Sequence, residues 1–389
     1  MNTQSSVVAR RFGIPPRTAE EQVQKFHAFQ SNQKYEPLPE PTGKPPFRLS
    51  TAEVGIAPAN GQRVLHVTGD TGGILNATPQ KSVAAAMVAD LQAAGAGAGA
   101  GAGPAPSFFF HVGDVVYFNG DESEYGPQFY EPYAHYNAPI FAVPGNHDGD
   151  NSDNPSVPSL AGFVENLCAL TPHLDPQAGE TNRDTMTQPN VYWTLTDDLV
   201  SVVGLYTNVP EGGQVHQEQI EWLLGELGAA PTDRALIVAL HHPPYSADAH
   251  HGGSARMGTL LDEAFQHSGR VPDMVLSGHV HNYQRFTRTI GAKQVPYVVT
   301  GAGGYHNLHK MAKASGGGSV ELPFKATADC ELEAYCDDRW GFLRLSLTPG
   351  RIAGEYIAVA EDGTVTPERD AFSTTVGQAN ATRKARRKK

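Results

Sequence analysis

The chain is 389 residues long, 40% hydrophobic and 18% charged, with a formal net charge of −12. Such a composition describes an ordinary globular protein with room for one large domain. It offers no apolar run long enough to cross a bilayer, and its acidity argues against nucleic acid as a general partner.

Residues 1–62 mix proline, glutamine and charges with little periodicity, which predicts a partly disordered arm lying over the domain that follows. No apolar stretch stands behind Arg10 and Arg11, so no secretory signal is read and the cytoplasm is slightly favoured. From Arg63 onward, short β-branched or aromatic runs end in Gly, Asp, Asn or His. Residues 63–67, 107–111, 139–143, 235–240, 274–277 and 297–300 are predicted as buried strands. Thr78-Pro79 opens a helix that dissolves into alternating Ala and Gly over residues 93–103, a flexible connector. Further helices are expected over about 217–227 and 258–266, and hairpins around Thr196-Asp197-Asp198 and Thr348-Pro349-Gly350. Strands alternating with helices, plus hairpins, give an α/β fold of two packed mixed sheets with helices outside.

Cys330 and Cys336, six apart in a polar segment read as a loop, either pair in an oxidising compartment or stay free; Cys168 reads as core. Six of the last seven residues are basic, so residues 376–389 are predicted to be a solvated, disordered tail. Residues 63–375 are left as one main domain.

Within that domain five polar signatures follow the predicted strands. They are Gly69-Asp70-Thr71-Gly72, Gly113-Asp114-Val115-Val116-Tyr117, Gly145-Asn146-His147-Asp148, Val238-Ala239-Leu240-His241 and Gly278-His279-Val280-His281. Singly each reads as a turn. With His147 and Asp148 set aside, they jointly offer two carboxylates, a phenol, an amide oxygen and three imidazoles, enough to hold two cations side by side at the carboxyl ends of strands.

In this order the signatures resemble the calcineurin-like metallophosphoesterase superfamily, and most of all its purple acid phosphatase branch. Gly-Asp-x-Gly at residue 70 and Tyr117 in the second signature carry the branch assignment. The resemblance implies a four-layer α-β-β-α sandwich over residues 63–375. It places Asp70, Tyr117 and His281 on a first metal, and Asn146, His241 and His279 on a second, with Asp114 bridging. A phenolate in place of an imidazole suits Fe³⁺ at the Tyr117 site. A divalent ion (Fe²⁺, Zn²⁺ or Mn²⁺) is expected at the Asn146 site. Three anionic ligands leave a trivalent–divalent pair net positive, able to draw a phosphate ester into an acidic protein.

The activity implied is acid phosphatase: a metal-bound hydroxide attacks a small-molecule phosphomonoester. His147, supported by Asp148 or another carboxylate, and either His250 or His251 serve the leaving group. A divalent-metal phosphodiesterase or nucleotide pyrophosphatase is the alternative, and a metal-binding module without catalysis a further one.

Overall fold

The structure is a computed structural model that describes residues 34–95 and 104–377. The first half of the expected arm, the Ala/Gly connector beyond Gly95 and the basic tail beyond Gly377 lie outside the described residues.

Among the described residues fifteen strands run in chain order: β1 (Arg48–Ser50), β2 (Arg63–Thr68), β3 (Phe108–His111), β4 (Ile140–Ala142), β5 (Trp193–Thr196), β6 (Val200–Leu205), β7 (Ala235–Leu240), β8 (Met274–Ser277), β9 (Tyr283–Ile290), β10 (Lys293–Thr300), β11 (Phe324–Lys325), β12 (Cys330–Cys336), β13 (Trp340–Thr348), β14 (Arg351–Val359) and β15 (Val365–Thr375). They form a nine-stranded sheet, ordered β1-β5-β6-β7-β8-β10-β9-β12-β11, and a six-stranded sheet, ordered β15-β14-β13-β2-β3-β4. Both are mixed. β2, β3 and β4 are mutually parallel in one sheet, and β6, β7, β8 and β10 in the other; β1 is parallel to β5, and the remaining pairs are antiparallel.

Side-chain alternation along β7 explains the layering. Ile237 and Ala239 join one apolar cluster with Leu65, Val67 and Phe110 of the opposite sheet, whereas Leu236, Val238 and Leu240 join a second with Leu223, Leu227 and Leu261. The first cluster fills the space between the sheets, where Trp193 of β5 packs against Phe110 and Phe141. The second lies under two helices, α3 (Gln217–Ala229) and α4 (Ala255–Ser268). Helix α1 (Thr78–Gly95) covers the six-stranded sheet, and a short α2 (Ala161–Leu167) stands beside the Glu122–Glu124 turn between β3 and β4. The order is α-β-β-α, as the sequence led one to expect.

Two expectations change. Residues 34–62 do not simply lie over the domain, because β1 enters the nine-stranded sheet parallel to β5. Arg48 forms a two-bonded ion pair with Glu226 on α3, at 2.9 and 2.8 Å, and Trp222 donates its indole N–H to the Pro46 carbonyl. Cys330 and Cys336 are buried, free and at opposite ends of one strand. Six residues of extended chain separate them by about 20 Å, far beyond disulfide reach.

Among the described residues no helix is long and apolar enough to cross a membrane.

Candidate metal centre

All five signatures sit where parallel strands end. Asp70 follows β2, Asp114 and Tyr117 follow β3, Asn146 follows β4, His241 follows β7, and His279 and His281 follow β8. Three strands of one sheet and two of the other thus direct their loops to the same edge of the sandwich. The loops lock one another. Asp70 donates its N–H to the Gly113 carbonyl (2.9 Å), Asp70 Oδ2 accepts from the His279 N–H (2.9 Å), and Asp114 Oδ1 accepts from the His147 N–H (2.9 Å).

The signature glycines answer to space as well as to turning. A Cβ at Gly278 would lie 2.6 Å from Asp70 Oδ2, and one at Gly145 would run into Asp114 Oδ1. Asp70, Asp114 and His279 themselves take left-handed backbone, at φ of 56°, 54° and 68°. Each such residue costs on the order of 1–2 kcal/mol, strain that concentrates at functional sites.

The donor atoms gather into two overlapping groups. In the first, Tyr117 Oη lies 3.4 Å from Asp70 Oδ1, 3.4 Å from His281 Nε2 and 3.1 Å from Asp114 Oδ2. In the second, His241 Nε2 lies 3.1 Å from Asn146 Oδ1 and 3.3 Å from Asp114 Oδ2, while His279 Nδ1 lies 3.0 Å from Asn146 Oδ1. Asp114 Oδ2 belongs to both. The structure therefore brings together Asp70, Asp114, Tyr117, Asn146, His241, His279 and His281.

Whether these residues fit metal ions can be judged from their protons. His241 Nδ1 faces the Val112 carbonyl (2.9 Å), His281 Nδ1 the Asn307 carbonyl (3.2 Å), and His279 Nε2 the Glu211 carboxylate (3.2 Å). In its neutral form each ring spends its one N–H on that outward acceptor, which leaves an inward lone pair aimed at acceptor oxygens. Lone pairs packed 3.0–3.6 Å apart need positive charge between them. Burial keeps His279 neutral, at about 4, and holds His281 well below its ordinary range. Burial also pushes Asp70 and, with help from Asp114, Tyr117 well above theirs, toward neutral forms that only a nearby cation would reverse. At His241, burial is outweighed by Asp114 and Asp70, which raise the ring to about 9; a proton there answers the same oxygens as a cation. The donor set fits two cations.

The expected helpers are placed differently from one another. His147 lies tilted against Tyr117 (ring centroids 4.5 Å) and donates Nδ1–H to the Phe118 carbonyl at 2.6 Å. Asp148 does not support it. That buried carboxylate instead accepts the backbone N–H groups of Val115 (2.9 Å), Val116 (3.2 Å) and Gly145 (2.8 Å), so it ties the second signature to the third. Burial and the adjacent Asp114 push its carboxyl up to about 6 despite these donors.

The two neighbouring histidines also separate. His251 packs on the His279 ring at 4.4 Å, whereas His250 lies tilted against His309 at 4.6 Å. Asp248 sets this loop by accepting the N–H groups of both His250 and His251 at 2.8 Å, and it ties the loop to Asn282.

Sequence reasoning missed Glu211 and His309. His309 lies against His281 (ring centroids 4.4 Å), with Nδ1 3.3 Å from Asp248 Oδ2. His242 turns away from the cluster's oxygens toward Thr207 Oγ1 at 2.7 Å, as a supporting residue should.

Comparisons with known proteins bear on the family and the fold. Purple acid phosphatase 21 of Arabidopsis thaliana is 28% identical over 173 residues, covering 43% of this chain and 36% of that protein. Purple acid phosphatase 22 of the same plant is 26% identical over 194 residues, covering 42% and 44%. This chain thus matches less than half the length of either relative. A purple acid phosphatase, PPD1, from yellow lupin (Lupinus luteus) seeds shares the fold with a TM-score of 0.56 at 18% identity, over 82% of this chain and 54% of that one. The family model for calcineurin-like phosphoesterase matches residues 64–283, and the chain belongs to that family.

Proposed function

We propose that this protein is a phosphomonoesterase of the purple acid phosphatase type, working at a dinuclear centre. The observation that carries the reading is the single oxygen, Asp114 Oδ2, shared between a phenol-containing donor group and an imidazole–amide group. Asp70, Tyr117 and His281 with Asp114 would hold Fe³⁺, and Asn146, His241 and His279 with Asp114 a divalent ion (Fe²⁺, Zn²⁺ or Mn²⁺). A phenol that burial and two carboxylates push above its ordinary range gives up its proton most readily to a trivalent cation. Such a pair would supply an activated water and the positive charge that clamps a phosphate.

The chain's own part is orientation and proton supply. Backbone bonds from His279 to Asp70 and from His147 to Asp114 fix both carboxylates before substrate arrives. His147 commits Nδ1 to Phe118, so Nε2 is the nitrogen it offers to a phosphate oxygen. His251 commits Nδ1 to Glu211 at 3.0 Å, which leaves Nε2 to hand a proton to the departing alkoxide. Burial disfavours its cation, yet Glu211 and Asp248 outweigh burial and raise it to about 9, so it carries that proton in acid.

The test is elemental analysis of the purified protein combined with turnover of a monoester and a diester across pH. The reading expects iron plus one divalent ion per chain and faster monoester hydrolysis, strongest in acid. A diester preference, or full activity with no iron, would point instead to the divalent-metal phosphodiesterase chemistry.

A further inference from the structure

Glu211 touches two residues with different tasks. One oxygen, Oε1, lies 3.2 Å from His279 Nε2 and 3.0 Å from His251 Nδ1. The nitrogen of His279 on the opposite side of the ring faces Asn146, and the opposite nitrogen of His251 is the one left for a leaving group.

The loop that delivers this carboxylate is built. Gly212 and Gly213 are both left-handed, at φ of 75° and 77°, which folds the chain back immediately after Glu211. Gly213 returns its N–H to the Pro210 carbonyl (2.8 Å) and Gln214 to the Thr207 carbonyl (2.8 Å). Ser254, the N-cap of α4, donates its hydroxyl to the Gly212 carbonyl at 2.5 Å. A Cβ at Gly213 would stand 3.2 Å from His242 Nδ1, so the turn is also seated against the histidine next to His241. Only 11% of the Glu211 side chain is exposed.

From this we infer that Glu211 is a positioning residue that couples the two halves of the reaction. By accepting from His279 it fixes that ring's tautomer and strengthens its inward nitrogen as a ligand, the role outer carboxylates play for metal-bound histidines. By accepting from His251 with the same oxygen it sets that ring's plane and turns Nε2 toward the leaving group. Metal seating and leaving-group protonation therefore depend on one carboxylate. This rests on the phosphomonoesterase reading of the same site and adds to it a residue and a link.

The experiment compares wild type with Glu211→Gln, which keeps the shape and one acceptor but loses the charge. Two quantities are read: affinity for the divalent ion, by competition with a chromophoric chelator, and relative rates on an alkyl and an aryl phosphate. The expected result is a fall in divalent-ion affinity of about tenfold or more. Hydrolysis of the alkyl ester, whose departing oxygen needs a proton, should fall at least about tenfold further than that of the aryl ester. His251→Ala should show the same leaving-group bias while retaining wild-type metal affinity. A change in only one of the two quantities in Glu211→Gln overturns the coupling, as does an equal fall on both esters. If wild type itself hydrolyses neither ester, the reading beneath the inference fails first.

Discussion

Tyr117 Oη stands 3.1 Å from Asp114 Oδ2, the same oxygen that lies 3.3 Å from His241 Nε2. The phenol is thus confined to one side of the shared carboxylate. In iron-loaded protein, phenolate-to-Fe³⁺ charge transfer should give a visible band, and Tyr117→Phe should abolish it. Activity should drop by about tenfold or more, while the divalent ion stays, since its other donors are untouched. Visible absorption together with metal analysis checks this, and a variant that keeps its colour would remove Tyr117 from the centre.

His251 and His250 are neighbours in sequence with different surroundings: Glu211 and His279 for the first, His309 for the second. Turnover of an alkyl phosphate should therefore fall by about a hundredfold in His251→Ala and by no more than a few-fold in His250→Ala. Steady-state kinetics on the two variants decides it, and a reversed order would reassign the proton donor.

Asp148 holds three backbone N–H groups and leaves His147 alone. Its replacement by Asn should act first on folding. An amide keeps only one acceptor oxygen for those donors, and a buried N–H left without a partner costs about 1–3 kcal/mol, so Asp148→Asn should destabilise the metal-free protein by roughly that amount. Urea unfolding is best measured below the carboxyl's value of about 6, where the acid is neutral like the amide; above it the buried charge is itself a cost to the fold and narrows the difference. An unchanged midpoint with lost activity would restore a catalytic role.

His111 is fully buried, takes the Gly113 N–H on Nδ1 and faces Thr71 Oγ1 with Nε2. Burial lowers it from 6.5 to about 3. Its folded-state pKa lies below its unfolded value, so the unfolded chain binds the extra proton in between. The stability it contributes is present above pH 6.5 and is lost as pH falls toward 3, amounting to about 2 kcal/mol at about pH 5. His111→Gln should flatten the pH dependence of unfolding free energy across that window. Matching slopes for variant and wild type would show that the imidazole titrates normally.

The candidate site was legible because its residues are local. Each sits at most a few residues past a strand that its own composition announces, as Asn146 does after Ile140–Ala142. Glu211 and His309 were not, because Pro210-Glu211-Gly212-Gly213 reads as any turn and only the fold sets Glu211 beside His279, 68 positions away. The Cys330–Cys336 segment was read as a loop because its glutamates hide the alternation; the structure buries Cys330, Leu332 and Cys336 and turns Glu333 outward. β1 escaped for another reason. Three residues carry no period, and their partner strand begins at Trp193, far along the chain.

That short strand has a practical consequence. The family match begins at residue 64, an inviting point at which to start a trimmed fragment. Such a fragment would lack Arg48–Ser50, strip the outer flank of Trp193–Thr196 of its hydrogen-bonding partner, and deprive Glu226 of its guanidinium. A bare flank of this kind recruits other chains, so the shortened protein should clump where one beginning ahead of Phe47 stays dispersed.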